Sequence, residues 1–296
     1  MPLEREEYLD IMLEQLHEYN DEFLMHGRDV SAFVNNNFLH LAEIGADPNV
    51  IRNITTAQLP LAPTFRTDTL LSFQLDNWTT EPFVAPAFEE KILAYPKAQS
   101  FFKQHTGKLM RTVADYCYYS IAPNANTTDT PVLETSGAVN AAGNKGLTDT
   151  DVKSLAEKFD DLNISAEGRH LWLTPNMYYE LIGTNEAMQF AAMMKSSGAS
   201  NTPEYVDVWG FKIHRRTGGA LYDAALTKQA HGSANANLYR GAFAYVENET
   251  FFAAKGTVEV GVEPRPVSYE GDLVNAKVRY SAQALRQKIM GAIVQK

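Results

Sequence analysis

Residues 96–122 read PKAQSFFKQHTGKLMRTVADYCYYSIA, and this stretch carries the clearest helical pattern in the chain. Its apolar side chains recur every three or four residues along one face, at Phe102, Leu109, Met110, Val113, Tyr116, Cys117 and Ile121. Pro96 suits the first turn of a helix, and Ala122-Pro123 ends it. The pattern predicts one helix about 39 Å long at 1.5 Å per residue.

The segment before this helix, residues 67–85, changes to a two-residue period. Leu71, Phe73 and Leu75 alternate with polar residues, as in a half-buried strand. Asp76-Asn77 is a turn signal, after which residues 78–84 can return as the partner strand. The pattern predicts a long β-hairpin with little core of its own, which needs another surface to lie against.

The first 64 residues predict an acidic helical arm. Residues 3–25 show apolar side chains at helical spacing with Gly27 as a stop signal, and residues 30–44 give a second, weaker helical pattern. Residues 1–90 hold 4 Arg, no Lys and 16 acidic residues, a net charge of −12, whereas the other 206 residues sum to +2. The overall charge of −10 therefore comes from the N-terminal third.

The segment after the long helix predicts a mixed α/β region. Residues 123–146 have a loop composition, rich in Asn, Thr, Ala and Gly. Thr148 can cap a helix whose apolar face holds Val152, Leu155, Phe159 and Leu162. Leu171–Leu173 is a short apolar strand, and Thr174-Pro175 begins a helix that runs to Gly183.

The last hundred residues predict mostly strands and loops. Loops are expected at 195–204 and 217–237 because both are rich in small and polar residues. Strands are expected at 211–214, 239–247, 258–262 and 273–280, followed by an apolar segment at 284–293.

The motifs of common active sites are missing. Residues 137–146 resemble a phosphate-binding loop in composition, but five residues separate Gly137 from Gly143 and Lys145 does not follow the second glycine. Cys117 falls on the apolar face of the long helix, so packing is the default interpretation. His40 and Glu43 lack the second histidine of a zinc helix, and Ser196 is not in a nucleophile elbow. We therefore assign no catalytic, cofactor-binding or metal-binding residue.

The charge distribution and the N-terminus restrict the kinds of partner. A protein that grips DNA needs a basic face, and the only short basic run is His214-Arg215-Arg216. The N-terminus has no secretory signal pattern, and no apolar run reaches the roughly 18 residues that a membrane span needs. We expect no membrane partner, and any nucleic acid to be contained rather than gripped.

Four phrases in order resemble the major capsid proteins of tailed double-stranded DNA phages, the Hong Kong-ninety-seven-type fold. Leu75 to Glu90, running into Tyr95–Ala98, is similar to the family's extended loop and the start of its spine helix. The others are Arg169–Ile182, similar to an axial strand, Pro turn and helix; Val208–Ile213, similar to the next strand; and Gly271–Tyr280, similar to the closing strand. The resemblance covers residues 65–296.

This resemblance implies an α+β fold with four parts. They are an N-terminal helical arm (1–64), an extended loop (65–95), a peripheral domain with the spine helix (96–124 and 251–296) and an axial domain (125–250). It also implies contacts between subunits at the loop tip, for which the candidates are Asp76, Asn77, Trp78 and Thr79. Trp78 is either such an anchor or a contact within its own subunit.

The function that the resemblance implies is that of a structural, non-enzymatic capsid subunit of the virion, assembled in the host cytoplasm. The implied partners are further copies in hexamers and pentamers, a scaffolding protein, a portal protein and packaged DNA. Three alternatives stay open: an encapsulin-like compartment shell, an α+β enzyme, and a phage tail or adaptor protein. An enzyme predicts a concave site with converging polar groups.

Overall fold

A computed structural model describes residues 22–35, 37–43, 52, 69–85, 97–140, 143–186, 188–189, 207–235, 237–263, 268, 272–285 and 289–296. The helix predicted at 3–25 lies outside these residues except for its last turn. The loop predicted at 195–204 lies wholly outside them.

The described residues form an α+β structure with few helices and many strands. The helices are α1 (Glu22–Met25), α2 (Lys97–Ile121), α3 (Asp149–Asp161) and α4 (Pro175–Thr184), with a 3-10 turn at Ser31–Phe33. The strands of the N-terminal part are β1 (Arg28–Asp29), β2 (Val34–Asn35), β3 (Phe38–Glu43), β4 (Thr69–Gln74), β5 (Asn77–Thr79) and β6 (Phe83–Ala85). Those that follow α2 are β7 (Val132–Glu134), β8 (Arg169–Leu173), β9 (Asp207–Val208), β10 (Phe211–Arg215), β11 (Ala220–Tyr222), β12 (Tyr239–Val246), β13 (Phe251–Glu263), β14 (Asp272–Ala284) and β15 (Met290–Val294).

These strands pair in three sheets. The long-strand sheet has the order β1-β13-β14-β5, with β6 also on β14. The seven-stranded sheet has the order β7-β15-β12-β8-β10-β9, with β11 on β12. The N-terminal sheet has the order β2-β3-β4.

Helix α2 packs on the long-strand sheet through the face that its sequence pattern predicts. Val113 and Cys117 are buried in one cluster with Val274, Ala276 and Val278, which alternate along β14 toward the helix. The two-residue period of the strand and the helical period of α2 thus bring two apolar faces together. This contact confirms the predicted long helix and the predicted strand at 273–280.

The seven-stranded sheet buries both of its faces. One face of β8 carries Leu171 and Leu173, which pack with α3 and α4. The other face carries Trp172, which belongs to the same cluster as α2. All five residues of β8 are buried, so this strand lies within the core of the subunit.

The start of α3 is fixed by side chains. The carboxylate of Asp151 accepts hydrogen bonds from the backbone N–H and the hydroxyl of Thr148, at 2.9 and 2.8 Å. It also accepts one from the hydroxyl of Ser136, at 2.6 Å. A carboxylate in the first turn stabilises a helix by capping and by the dipole. The cap predicted at Thr148 is therefore confirmed.

The helix predicted at 30–44 is wrong, because most of that segment forms the strands β2 and β3. Leu39 is buried against a cluster that includes Phe252 and Ala254, while Phe38 and His40 face outward. This alternation is that of a strand, and β4 supplies the partner along all six residues of β3. A helical spacing in a short segment was overridden by tertiary pairing.

The hairpin predicted at 67–85 is also wrong in its pairing. Strand β4 pairs with β3, which lies earlier in the chain. Strands β5 and β6 pair instead with β14, which lies near the end of the chain. At Asp76 the chain passes from one sheet to the other: Leu75 N–H donates to Asn37 O, and Tyr280 N–H donates to Asp76 O. Pairing with the long edge of β14 therefore takes the place of the pairing that was predicted across the turn at Asp76-Asn77.

Two predicted loops contain short strands. Residues 123–146 include β7, which pairs in parallel with β15, and residues 217–237 include β11, which pairs with β12. Strand β15 therefore lies in the sheet built mainly from residues 125–250, although the sequence grouped it with 251–296.

Among the described residues, no helix is long and apolar enough to cross a membrane.

Candidate functional site

The four residues predicted to contact another subunit lie along the edge of the long-strand sheet. Trp78 pairs with Val278, its indole N–H donates to Tyr280 O at 3.1 Å, and its ring meets Tyr116 edge-on at 5.2 Å. These contacts are within the subunit. Asp76, Asn77 and Thr79 are exposed and Trp78 is partly buried, and for all four the contact with a neighbour stays a prediction.

Exposed aromatic side chains occupy the outer side of the N-terminal segment. Phe33 is 65% exposed and Phe38 is 42% exposed, and the Phe38 ring stacks on His40. We call these three residues the outer aromatic face. Aromatic residues are enriched at protein interfaces, so this face is a candidate contact surface. The helical pattern of residues 30–44 gave no sign of this face, because a helix would place these side chains differently.

A second exposed aromatic group lies at the turn between β9 and β10. Trp209 is 48% exposed and adopts a left-handed backbone with φ 52°, followed by Gly210 at φ 81°. A bulky residue in this region is strained, and such strain often marks a functional surface. The Trp209 indole N–H donates to Asp149 at 3.0 Å, and Lys153 lies over the ring at 5.5 Å. This turn is a second candidate contact surface.

The short basic run at 214–216 does not form a phosphate-binding patch. His214 is buried, and the guanidinium of Arg216 donates to Asp115 at 2.7 Å. Arg215 donates to the hydroxyl of Tyr179 at 2.9 Å. His214 and Arg216 therefore take part in internal contacts, and Arg215 makes an exposed contact with Tyr179.

Cys117 is a packing residue, as its position on the helix predicts. Its side chain is buried between α2 and the long-strand sheet. Burial raises the pKa of the thiol to about 12, with Asp76 adding to the rise and a hydrogen bond to the backbone of Ala282 opposing it. A protonated, enclosed thiol is a poor nucleophile.

Three histidines that are distant in sequence meet beside the seven-stranded sheet. His26 follows α1, His170 lies on β8 and His214 lies on β10, and their nearest ring nitrogens all lie within 4.8 Å of one another. Nδ1 of His170 is 2.8 Å from Nε2 of His214, and the rings of His26 and His170 are 4.2 Å apart. We call these residues the histidine trio. The sequence carried no sign of it, because the spacings match no ligand motif.

Burial dominates the electrostatics of the trio. Burial, His26 and Lys212 lower the pKa of His170 to about 4, although Glu247 opposes this shift. Burial lowers the pKa of His214 to about 3, with His170, His26 and Lys212 adding to the effect. Both rings are therefore neutral at pH 7, which leaves a lone pair on one nitrogen of each.

No protein-family model and no curated protein matches this chain. Solved structures do match. The capsid of cyanophage P-SCSP1u has a TM-score of 0.61 at 15% identity, over 92% of this chain and 86% of that chain. The mature capsid of bacteriophage PhiM1 has a TM-score of 0.62 at 13% identity, over 92% of this chain and 86% of that chain. A virus-like particle from Pyrococcus furiosus has a TM-score of 0.57 at 9% identity, over 96% of both chains.

These likenesses span nearly the whole chain on both sides. At such low identity they establish the fold: the chain has the α+β fold of tailed-phage capsid proteins, as its sequence predicted. The uncovered share of this chain is under a tenth, which is less than the 64 N-terminal residues that the sequence resemblance did not reach, so the likenesses extend into that segment.

Proposed function

We propose that this chain, which has the fold of tailed-phage capsid proteins, is a structural subunit that assembles in many copies into the icosahedral capsid around phage double-stranded DNA. The observation that carries this proposal is the likeness to solved capsid structures over 92% of this chain and 86% of each of those chains. The proposal places the protein in the virion, assembled in the host cytoplasm, and without enzymatic activity.

The subunit surface supports this proposal. Aromatic side chains are exposed at two separate places: Phe33 and Phe38 form one, and Trp209 forms the other. These two places are suited to contacts with different neighbours. Contacts between unlike surfaces generate rings and closed shells when the geometry closes. Asp76, Asn77, Trp78 and Thr79 also remain proposed contact residues.

The four-part division stays part of the proposal: arm 1–64, extended loop 65–95, peripheral domain 96–124 with 251–296, and axial domain 125–250. The pairing of β3 with β4 favours an extended loop that begins earlier, since the chain leaves this pair at Glu43 and returns at Thr69. The place of β15 in the seven-stranded sheet favours moving the last strand to the axial domain.

The partners are proposed from the same role. They are further copies in hexamers and pentamers, a separate scaffolding protein, a portal protein, and DNA that is contained without tight binding. The net charge of −10 supports the last point, because an acidic wall repels the phosphate backbone.

Electron microscopy of the assembled protein tests the proposal. The full chain, expressed alone and together with the neighbouring genes of its source genome, is fractionated by size and imaged in negative stain. We expect closed shells in the co-expression sample. A compact monomer or dimer in both samples would contradict the capsid function.

A compartment shell is the second candidate, favoured by the full-length likeness to the Pyrococcus furiosus particle. The contents of native particles separate the two functions. Nuclease-protected double-stranded DNA supports the capsid, whereas an enclosed enzyme without DNA supports the compartment.

A further inference from the structure

The histidine trio lies where the N-terminal segment joins the seven-stranded sheet. His26 is held there by its neighbours: Phe23 is fully buried among aromatic rings, and Asn248 N–H donates to His26 O at 2.9 Å. His170 and His214 come from the parallel strands β8 and β10, which are adjacent in the sheet. Three segments that are distant in sequence therefore each place one imidazole in the same site.

Burying several imidazoles together is costly unless their polar atoms gain partners. The side chains of His170 and His214 are each only 3% exposed, in surroundings where Trp172 stacks on His214 with ring centroids 4.4 Å apart. Apolar side chains would fill this place at lower cost. Convergence of three imidazoles is instead the arrangement that binds a borderline metal ion.

The outer contacts of the trio fit metal ligands. A histidine that binds a metal through one nitrogen usually presents the other to a carboxylate or another acceptor. Nδ1 of His170 faces His214, while its Nε2 lies 3.4 Å from the carboxylate of Glu247. Nδ1 of His26 lies 2.7 Å from the hydroxyl of Tyr245, which also accepts the indole N–H of Trp172 at 2.8 Å.

We propose that His26, His170 and His214 bind one Zn²⁺ ion, which ties the N-terminal segment to the seven-stranded sheet. The fourth ligand is a water molecule, since the Glu247 carboxylate faces Nε2 of His170, on the other side of that ring from Nδ1. Metal–nitrogen bonds of 2.0–2.1 Å in a tetrahedral site separate ligand nitrogens by about 3.3 Å. Binding therefore moves the His170 and His214 nitrogens apart by about 0.5 Å from their present 2.8 Å.

The charges around the trio are mixed. Glu247 supplies one negative charge, and Lys212, half-buried on β10, supplies one positive charge that opposes a cation. Three imidazoles with one water molecule still form a complete donor set for zinc. Glu247 acts as a positioning residue through His170 and adds the balancing charge.

Metal binding by the full chain tests the site. The protein is dialysed against a chelator and then titrated with Zn²⁺ alone, and with Co²⁺ as a coloured substitute. We expect one ion per chain, the visible absorption of tetrahedral cobalt, and a rise in the melting temperature, since an ion that binds only the folded state stabilises it. No bound ion and no absorption at one equivalent would overturn the proposal.

Variants locate the ion. His26→Ala and His214→Ala should each abolish the cobalt absorption, and Glu247→Gln should weaken Zn²⁺ binding about 10- to 100-fold. His40→Ala, which removes an exposed histidine bonded to Ser72, is the matched control and should bind like wild type. Circular dichroism checks each fold. If His214→Ala unfolds, His26→Ala decides, because His26 lies outside the sheets; unchanged binding in that variant would overturn the site. This test does not depend on whether the protein forms a capsid.

Discussion

At the scale of single residues, the interior histidines make the subunit sensitive to acid. His170 and His214 have pKa values lowered to about 4 and about 3, so the folded protein keeps them neutral well below the pKa of about 6.5 that an unfolded chain has. Between these values the unfolded chain binds more protons than the folded one. Stability is therefore unaffected above pH 7 and is lost as the pH falls below about 6.5.

The first prediction concerns this acid sensitivity. In a chelator, the free energy of unfolding should fall between pH 6 and pH 4.5 by up to about 1.4 kcal/mol per pH unit for each buried histidine. His214→Gln should be less stable at pH 7 but should show a shallower slope, whereas the exposed His40→Gln should keep the wild-type slope. Urea unfolding at several pH values measures this. Equal slopes for all three proteins would show that His214 does not titrate on unfolding.

The groups around the pair decide how steep the slope is. Glu247 opposes the downward shift of His170, while His26 and Lys212 reinforce it, and Lys212 also acts on His214. Glu247→Gln should therefore steepen the loss of stability in acid, because the one neighbour that favours a charged His170 is removed.

At the scale of elements, β3 and β5 show two ways of using an aromatic residue on a sheet. Phe38 on β3 points outward and stacks on His40, where the described part of the chain leaves it exposed. Trp78 on β5 turns inward, bonds to Tyr280 O and packs on α2 through Tyr116. The first residue is available to a neighbour, whereas the second stabilises its own subunit.

A pair of variants separates these roles. Phe33→Ser with Phe38→Ser should change the melting temperature of the unassembled subunit little, yet reduce shell formation at least about tenfold, since burying one such ring contributes about 1.5–3 kcal/mol. Trp78→Ala should lower the free energy of unfolding by about 2 kcal/mol, through lost packing and one lost hydrogen bond. Calorimetry and sedimentation measure the two effects. Normal shells from the double variant would remove this face from the contact surfaces.

A third exposed apolar residue provides the control for that experiment. Val139 is 67% exposed on the loop between β7 and α3, away from both aromatic surfaces in sequence. Val139→Ser should leave both the melting temperature and the yield of shells near the wild-type values.

At the scale of the whole molecule, the composition restricts how a shell can be held together. The first lysine is Lys91, which lies beyond the predicted return strand, so the segment 67–85 offers no amine for a covalent bond to a neighbour. Arginine cannot replace it, because its guanidinium stays protonated. The single cysteine, Cys117, is buried and cannot reach another subunit.

The shell should therefore be non-covalent. Particles boiled in denaturant should run as one band near the chain mass of 33.0 kDa, or slightly below it if the arm is trimmed. Gel electrophoresis with and without reducing agent measures this. A ladder of multimers that survives reduction would show that Lys91 or a later lysine forms a covalent bond.

The sequence alone determined the elements whose partners are close in the chain or whose apolar period is long. The helix at 97–121, the cap at Thr148 and the strand at 171–173 were all predicted, because helical hydrogen bonds, caps and a run of buried residues are local properties. The capsid fold was implied by four phrases in order that resemble the capsid family. These phrases were not enough to predict which strands pair.

Only the tertiary structure decided the pairings and the meeting of distant side chains. Whether β4 joins β3 or β5 depends on the edge of β14, which lies about two hundred residues later, and no local turn signal contains that information. The histidine trio arises in the same way, from a turn and two strands that are separated in sequence by 144 and 44 residues. The pairing of strands and the convergence of side chains depend on long-range contacts. A local sequence pattern carries no information on the free energy of such contacts.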